Sequence, residues 1–410
     1  MPMRVLICSN DTFGLGHLRR SVKIAWSLHA GHSDLSILIV SGSSMLHAFP
    51  LPPNTDCVKL PGLLMEGIGL YTARRLPLPF EDVSRLRQNI LLEIVLGYRP
   101  DLVIVDRRPV GVTGELLPAL RALKGLEKRA TLVLSLRDIV GADLVRGEWQ
   151  ADHAMPVLDE LYDEIWIFGS RLLYDPITEY QLPDTIARKV QFCGYLGIEP
   201  PTMPFEETRR TLQITGETFI LVTVGGGGAG FPVLDAYLGA LEIFPKRRRT
   251  LSLLISGSEM PEQERRALRE RSRRLVTARP EHKVTLIDFS PRLEEYMAAA
   301  DVVVSMAGYN TLTELMALGK RAIVIPRLHI VAEQLLRASL FERLGLIRML
   351  HPDRLSPNLM VDTVLNALDA PPPSRQQMTE VGLDLSGQTW VRERVARLLG
   401  RRQASPARSP

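Results

Sequence analysis

Short apolar runs alternate with helical stretches along almost the whole chain, and this alternation constrains the fold more than any other feature. Continuous runs of Val, Ile and Leu are typical of strands that are covered on both faces. Such runs predict strands at 3–9, 35–41, 56–60, 101–106, 131–136, 164–168, 189–193, 219–224, 250–256, 283–287, 301–305, 321–326 and 346–350. Helical periodicity fills the stretches between them, for example 17–30, 81–98, 231–244, 261–278, 310–318 and 332–344. This pattern predicts an α/β fold with parallel sheets and right-handed crossovers.

The length of the chain, 410 residues, is too great for one hydrophobic core and predicts two domains. A stretch rich in Pro and Gly at 194–204 lacks helical periodicity and suits a linker. We therefore predict two doubly wound, Rossmann-like domains that face a cleft, at 1–195 and 205–385, with ligands at the carboxyl ends of the strands. A helix at 386–400 is expected to pack back on the first domain, and 401–410 to be disordered.

The composition, 45% hydrophobic and 23% charged, is that of an ordinary globular protein. A net charge of +4 is compatible with an anionic substrate or membrane surface, but without a basic cluster rich in aromatic residues it does not indicate nucleic acid. Cys8, Cys57 and Cys193 lie far apart, so a reducing compartment is favoured over a disulfide framework or zinc site. No run reaches the roughly 18 to 20 apolar residues that span a bilayer. We expect a cytoplasmic protein, with peripheral contact at the inner face of the membrane as one option.

The segment 305–326 combines a strand end, a Gly-containing turn, an amphipathic helix and a second strand. The first amides of a helix have no partner within the helix and can hold an anion. Glu314 lies one turn inside this helix. The arrangement suits a nucleoside diphosphate, with phosphate at the helix end and ribose hydroxyls on the acid. The alternative is that Glu314 is a solvated helix residue.

A run of four glycines, Gly225 to Gly228, follows the first predicted strand of the second domain. Successive glycines cost chain entropy, so they indicate close backbone approach or unusual dihedral angles. Diphosphate binding is the functional interpretation and a flexible turn is the alternative. The run lacks the Gly-Lys-Ser/Thr of a phosphate-binding P-loop and the spacing of a dinucleotide fingerprint.

A second Gly-containing loop follows the first strand of the chain and carries Gly14, Gly16, His17 and Arg20. We expect His17 in the first turn of the next helix, facing the cleft, where a neutral imidazole can remove a proton from an attacking hydroxyl. A structural histidine at a helix start is the alternative. Asp106 and Asp138 close predicted strands and are further candidates on the acceptor side, although Asp138 follows Arg137 and suits an ion pair.

Two further features concern the donor sugar and metal ions. Glu333 and Gln334 begin the helix after the strand that ends near Pro326, and they can form hydrogen bonds with sugar hydroxyls. A capping role at the surface is the alternative. No two aspartates stand two residues apart, which disfavours sugar transfer that depends on a divalent metal ion.

On these residues the chain resembles the GT-B fold glycosyltransferases of the MurG type (glycosyltransferase family 28). The resemblance is strongest over about 218–350, where Ala300 to Glu314, Gly319, Pro326, Gln334 and Ala338 follow the family pattern. It implies that Glu314 binds ribose, that the backbone near Phe289 and Ser290 meets uracil, and that Glu333 and Gln334 hold the sugar. The implied diphosphate positions are Gly225, Gly226, Gly227 and Gly228 in one loop and Ala307, Gly308, Tyr309, Asn310 and Thr311 in another. His17 is implied to be the general base.

Three departures from the family pattern leave alternatives open. Glu333 stands where the family has a glutamine, so the sugar need not be N-acetylglucosamine. The arginine expected near the linker is absent, and Ile198 stands roughly there. The Gly-Leu-Gly-His-Leu-Arg-Arg motif also resembles the UDP-sugar hydrolase of pseudaminic acid biosynthesis, in which the histidine is thought to activate water.

The predicted function is metal-independent, inverting transfer of a sugar from a UDP-sugar, for example a UDP-N-acetylhexosamine, to a hydroxyl acceptor in cell-envelope or polysaccharide biosynthesis. The UDP-sugar is the donor substrate and no cofactor is expected. The alternatives are a UDP-sugar hydrolase, a non-catalytic nucleotide-sugar-binding protein and a nucleotide-sugar epimerase. The segment 61–80, apolar and flanked by arginines, is predicted to be an acceptor or lipid-facing loop, or else a buried connection.

Overall fold

The computed structural model describes residues 2–11, 15–67, 69–198, 204–328 and 332–403. The chain divides into two compact units. The first contains the residues up to Leu196 together with those from Leu383 onwards, and the second runs from Gly197 to Gly382. Each unit is built around one parallel sheet. The predicted linker at 194–204 contains the boundary between the units, and residues 199–203 lie outside the described part.

The first unit contains a parallel sheet and a separate antiparallel hairpin. Its strands are β1 (Arg4–Ser9), β2 (Ser36–Ser41), β3 (Thr55–Lys59), β4 (Leu63–Gly67), β5 (Leu70–Ala73), β6 (Leu102–Asp106), β7 (Thr131–Arg137), β8 (Glu164–Phe168) and β9 (Val190–Phe192). The seven-stranded sheet has the order β3-β2-β1-β6-β7-β8-β9, and β4 pairs with β5. Its helices are α1 (Gly16–Gly31), α2 (Phe80–Tyr98), α3 (Leu117–Lys124), α4 (Ala142–Ala151), α5 (Ala154–Glu160), α6 (Pro176–Glu179) and α7 (Asp184–Ala187).

The second unit contains a six-stranded parallel sheet. Its strands are β10 (Thr218–Thr223), β11 (Thr250–Ile255), β12 (His282–Ile287), β13 (Val302–Ser305), β14 (Ala322–Val324) and β15 (Arg348–Met349), in the order β12-β11-β10-β13-β14-β15. Its helices are α8 (Phe205–Thr211), α9 (Phe231–Ile243), α10 (Glu262–Ala278), α11 (Leu293–Ala299), α12 (Tyr309–Ala317), α13 (Glu333–Arg343), α14 (Pro357–Asp369) and α15 (Arg375–Glu380). Short 3₁₀ turns lie at Leu46–Ala48 and Pro352–Arg354.

The central strands are buried along their whole length, as their continuous apolar sequences predict. All residues of β6, β8 and β13 are buried. Covering apolar side chains on both faces of a sheet stabilises it by about 25 cal/mol for each Å² removed from water. The α/β class and the parallel sheets are therefore confirmed, and every predicted strand has a counterpart in the structure.

The chain order of the strands reverses at one point in each sheet. In the first sheet β1 lies between β2 and β6, and in the second β10 lies between β11 and β13. At such a point the loops after the two adjacent strands diverge to opposite faces and leave a crevice at the carboxyl edge. The loop before His17 follows β1, and the four-glycine loop follows β10. Both predicted sites therefore lie where doubly wound sheets bind ligands.

The last helix, α16 (Gly387–Gln403), belongs to the first unit and packs against α1. Arg394 forms two charge-assisted hydrogen bonds with Glu164 of β8, and Trp166 donates to the same carboxylate at 2.7 Å. Trp166 also makes an edge-to-face contact with Trp390, with ring centres 5.2 Å apart. The helix includes 401–403, which were predicted to be disordered; 404–410 lie outside the described residues. Within the described residues, no helix has both the length and the apolar character needed to cross a membrane.

The segment 61–80 contains the hairpin β4–β5, which the sequence analysis did not predict. Its strands are short, Gly67 lies in β4, and Gly62 and Gly69 directly precede β4 and β5; glycine within a strand pattern obscures the period-two signal. Gly69 has φ +75°, the left-handed conformation that glycine adopts readily at a turn. The segment is therefore a hairpin rather than a loop.

Candidate active site

His17, Asp106 and Arg20 form a hydrogen-bonded group at the switch point of the first sheet. His17 lies in the first turn of α1, and Asp106 is the last residue of β6, the strand beside β1. The Nδ1 atom of His17 is hydrogen-bonded to Oδ2 of Asp106, and Nη2 of Arg20 donates to Oδ1. Asp106 and Arg20 are buried, whereas the His17 side chain keeps 13% of its surface exposed. A neutral imidazole that donates from Nδ1 has its Nε2 lone pair available to accept a proton.

Asp106 has the negative charge that is expected of a residue that supports a histidine general base. Burial raises the pKa of its carboxyl group, but Arg20 and His17 lower it more strongly, so the pKa lies below its ordinary value. Asp106 is therefore ionised at neutral pH. A buried carboxylate in this position orients the imidazole and stabilises the imidazolium that forms when the histidine takes up a proton.

Asp11 holds the start of α1 in place, a role that the sequence analysis missed. Its Oδ1 accepts a hydrogen bond from the backbone N–H of Leu18 at 2.9 Å, and its Oδ2 accepts from the hydroxyls of Ser9 and Ser41. The N-cap residue, Leu15, supplies no side-chain cap of its own. Asp11 thus caps the helix from the preceding loop and fixes the turn that carries His17. The sequence offered one signal for this role: the helix starts without Ser, Thr, Asp or Asn at the N-cap, so its cap had to come from another residue.

The remaining acceptor-side candidates are Gly14, Gly16 and Asp138, and they differ in their surroundings. Gly14 lies outside the described residues. A Cβ atom added at Gly16 would meet no protein atom within 4 Å, so packing does not require glycine there and the space beside it is open. Asp138 follows β7 and packs closely against Gly169, where an added Cβ would lie 2.8 Å from the Asp138 Cβ. This contact requires glycine at 169, and the role of the Asp138 carboxylate stays a prediction.

The four-glycine loop in the second unit shows the close backbone approach and the unusual dihedral angles that the sequence analysis expected, and the partner in this approach is a neighbouring loop. Gly227 has φ +96°, and a Cβ there would overlap the carbonyl oxygen of Ser256. Gly257 has φ +84°, and a Cβ there would overlap the carbonyl group of Gly226. The loops after β10 and β11 therefore pack backbone against backbone, so Gly227 is needed for packing rather than for flexibility. Gly225, with φ +64° and no protein atom within 4 Å of an added Cβ, leaves its side of the loop open.

Helix α12 begins beside this loop. Its preceding strand, β13, pairs with β10, and Ser305 is in register with Thr223. Gly308 is the N-cap and makes no side-chain cap, and no acidic residue lies in the first turn. Tyr309, Asn310 and Thr311 are buried. A helix N-terminus at the carboxyl edge of a parallel sheet has the geometry of an anion site.

The acidic and amide candidates of the second unit are enclosed. Glu314 is fully buried, so the interpretation of a solvated helix residue is wrong. A ribose could reach its carboxylate only after neighbouring groups move. Glu333 and Gln334 are also buried, which rules out the surface role, and Gln334 Oε1 accepts a hydrogen bond from the backbone N–H of Arg327 at 3.0 Å. Burial raises the free-energy cost of such groups unless they are hydrogen-bonded or hold a ligand.

The remaining donor-side candidates, Phe289 and Ser290, follow β12 at the same edge of the second sheet. Ser290 Oγ accepts a hydrogen bond from the backbone N–H of Arg292 at 3.1 Å and so stabilises the turn before α11. The adjacent Asp288 accepts from Ser256 and from Arg269, which joins this loop to the one beside the glycines. Among the residues that the structure describes, no three His, Cys, Asp or Glu side chains converge as metal ligands.

Comparison with known proteins agrees with this geometry. The model of the glycosyltransferase family 28 C-terminal domain matches residues 219–386. A Porphyromonas gingivalis UDP-N-acetylglucosamine–N-acetylmuramyl-(pentapeptide) pyrophosphoryl-undecaprenol N-acetylglucosamine transferase is 24% identical over 375 residues, which cover 90% of this chain and 88% of that protein. The crystal structure of Acinetobacter baumannii MurG is similar with a TM-score of 0.56 at 14% identity, covering 98% of this chain and 100% of that one. The structure of a Listeria monocytogenes putative UDP-N-acetylglucosamine 2-epimerase has a TM-score of 0.64 at 11% identity, covering 99% and 98%.

Two Rossmann-like units with crevices at their switch points, together with these structural neighbours, define a protein of the GT-B fold, as predicted. Within this class the chain is a glycosyltransferase, and its residues 219–386 match the model of the family 28 C-terminal domain.

Proposed function

We propose that this glycosyltransferase moves a sugar from a UDP-sugar to a hydroxyl group of an acceptor, with inversion and without a metal ion. The observation that carries the proposal is the hydrogen-bonded group of His17, Asp106 and Arg20 at a switch point. The relative named above uses UDP-N-acetylglucosamine as donor, which supports a UDP-sugar here. An N-acetylhexosamine is one candidate for the sugar. Glu333 distinguishes this chain from the family at the proposed sugar site, because the family has a glutamine there.

The proposed reaction is a single displacement. Nε2 of His17 accepts the proton of the acceptor hydroxyl, and the oxygen forms a bond to the anomeric carbon. The bond between that carbon and the diphosphate oxygen breaks, and UDP leaves with the electron pair. Asp106 stabilises the imidazolium that results. Catalysis requires the acceptor oxygen activated in the first unit to reach a donor held by the second unit.

The donor is assigned to the carboxyl edge of the second sheet. Backbone amides of the Gly225–Gly228 loop and of the first turn of α12, at 307–311, stabilise the charge that develops on the departing diphosphate. Glu333 and Gln334 hold the sugar, Glu314 the ribose, and the backbone at Phe289 and Ser290 the uracil. These roles are proposals from the family resemblance and from the position of the residues at this edge.

Binding of UDP tests the donor assignment. At about 100 times its Kd, UDP is expected to stabilise the second unit by about 2.7 kcal/mol, because a ligand that binds only the folded form shifts unfolding by mass action. For a unit of this size that corresponds to a rise in Tm of about 5 to 10 °C. Differential scanning fluorimetry with UDP, ADP and uridine measures it. No shift with UDP, or equal shifts with UDP and ADP, would contradict the assignment.

We also propose that the acceptor is linked to a lipid and that the protein, a cytoplasmic one, contacts the inner face of the membrane. The relative named above acts on a pyrophosphoryl-undecaprenol substrate. The hairpin β4–β5 and the segment after it carry exposed leucines next to Arg74 and Arg75; we call this group the hairpin patch. It contains Leu64, Leu70, Leu76 and Leu78, of which Leu70 is the most exposed at 66%. Exposed apolar side chains beside arginines suit an anionic membrane surface.

Replacing Leu70 and Leu78 together by aspartate is expected to weaken binding to vesicles that contain anionic lipid by at least about tenfold, because apolar burial is lost and like charges repel. Co-sedimentation with phosphatidylglycerol vesicles measures this binding, which should also fall as salt is raised. Leu172→Asp, at an 85% exposed position outside the hairpin patch, is the matched control. Equal losses of binding in the two variants, or no binding of the wild type at low salt, would contradict the proposed membrane contact.

A further inference from the structure

The buried face of helix α13 contains charged and polar side chains beside Ala338 and Phe341, and the helix leaves one leucine exposed. Glu333, Gln334 and Arg337 are buried, Arg337 with only 1% of its surface exposed, whereas Leu336 is 46% exposed. Burying a cation costs several kcal/mol in desolvation unless it is paired and hydrogen-bonded. A buried polar side chain needs hydrogen-bond partners, and one partner of Arg337 lies in the turn that starts α12.

Arg337 contacts the turn that starts α12 on both sides of its N-cap residue. Nη1 of Arg337 donates a hydrogen bond to the backbone carbonyl of Ala307 at 3.2 Å. Its guanidinium carbon lies 5.9 Å from the centre of the Tyr309 ring, within the range of a cation–π interaction. Ala307 and Tyr309 flank Gly308, so one rigid guanidinium group holds the turn from which the first amides of α12 project.

The charge of Arg337 has the sign that a diphosphate requires. The N-terminus of α12 carries a partial positive charge, and its first turn contains no acidic residue that would cancel it. Glu333 is also buried and lies one turn before Arg337 on the same helix, so the contribution of Arg337 that the structure shows is its contact with the turn. The arginine expected near the linker from the family resemblance is absent, since Ile198 stands there.

We propose that Arg337 is a positioning residue of the donor site that fixes the 307–309 turn, so that the amides at the start of α12 select the diphosphate of a nucleoside diphosphate. The proposal rests on the donor assignment made above. It concerns recognition of the phosphates and not of the nucleoside. Loss of Arg337 should therefore weaken UDP much more than uridine.

The ratio of the UDP and uridine affinities, measured by isothermal titration calorimetry on the full chain, tests this proposal. Arg337→Met is expected to weaken UDP about tenfold, the effect of losing the hydrogen bond that holds the turn, and to leave uridine within about twofold. Arg343→Met, on the exposed last turn of the same helix, is the matched control and should keep both affinities. A merely structural role would lower both affinities together and leave their ratio unchanged.

The outcomes separate this proposal from the function on which it rests. If the wild-type protein binds UDP no better than uridine, the donor assignment fails. If the wild type prefers UDP and Arg337→Met keeps that preference, the role of Arg337 is overturned while the donor assignment stands. Arg337→Lys keeps a cation but lacks the planar fork, and its preference should fall at least about threefold. If the methionine variant shows no cooperative melting, the proposal is tested with the lysine variant alone. A ratio of UDP to uridine affinity that is unchanged in the lysine variant then overturns the proposal.

Discussion

Replacing His17 with alanine is expected to lower turnover by about 10²- to 10⁴-fold, the usual cost of removing a general base. The affinity for the UDP-sugar should stay within about twofold, because the proposed donor contacts are all made by the second unit. Turnover is measured as release of UDP at saturating donor, with a lipid extract of the organism's membranes as acceptor source. Binding is measured separately by calorimetry.

The matched control for this experiment is His29→Ala in the last turn of the same helix. It removes an imidazole from α1 without touching Asp106, and its turnover should remain near that of the wild type. Turnover that is unchanged in His17→Ala would remove His17 from the role of base. An equal loss in both variants would assign the effect to the helix rather than to the imidazole.

Replacing Asp106 with asparagine is expected to affect both catalysis and stability. The change removes the negative charge that stabilises the imidazolium, so turnover should fall by about 10²- to 10⁴-fold. It also leaves the guanidinium of Arg20 buried without its carboxylate, and breaking a buried pair in this way costs about 3–5 kcal/mol. Chemical denaturation of the wild type and the variant measures the second effect.

A double variant separates these two effects. Adding Arg20→Met to Asp106→Asn removes the unpaired cation and should recover much of the stability, since replacing both partners of a buried pair is tolerated far better than replacing one. Turnover should not recover, because the charge beside His17 is still missing. Recovery of turnover together with stability would show that Asp106 acts only by holding the fold.

The stability difference between the wild type and Asp106→Asn should depend on pH. The pKa of Asp106 is held below its ordinary value, so its contribution is fully present above the ordinary aspartate value of about 4. As pH falls below that value, the unfolded state takes up the proton first and the contribution shrinks. A difference that grows on acidification would contradict the ionised state assigned to Asp106.

The sequence predicted the strands and the principal helices because their apolar patterns are long and continuous. Strands such as β6 and β10 are buried on both faces, and their Val, Ile and Leu runs carry this signal directly. The hairpin β4–β5 was missed because its residues are only partly buried and its glycines interrupt the alternation. The local sequence pattern determines the buried strands, whereas contacts with the rest of the unit determine the hairpin.

The site could be predicted in part. The Gly-containing motifs pointed to the loops after β1 and β10, and the carboxyl end of β6 pointed to Asp106. That Asp106 is shared between His17 and Arg20 could not be read from the sequence, because the three residues come together only through the pairing of β1 with β6. The close packing of Gly227 against Ser256 likewise depends on the pairing of β10 with β11.

The positioning residues lay beyond sequence reasoning for a similar physical reason. Asp11 caps α1 from a distance of seven positions, which is outside the spacing of the usual capping motifs. Arg337 occupies a helical position where an exposed arginine is the ordinary expectation. Its burial, which it shares with Arg20, Arg87 and Arg108, and its hydrogen bond to Ala307 become visible only in the structure.

The fate of the sugar tests transfer with inversion most directly. The protein is incubated with isotopically labelled UDP-N-acetylglucosamine, whose anomeric linkage is α, and with the lipid extract, and the products are separated and examined by NMR. We expect the label in an acceptor-linked product whose glycosidic bond is β, formed at least about 100-fold more slowly by His17→Ala. Release of free sugar at the same rate with and without the extract would indicate a hydrolase. A product with an α linkage would contradict the single displacement.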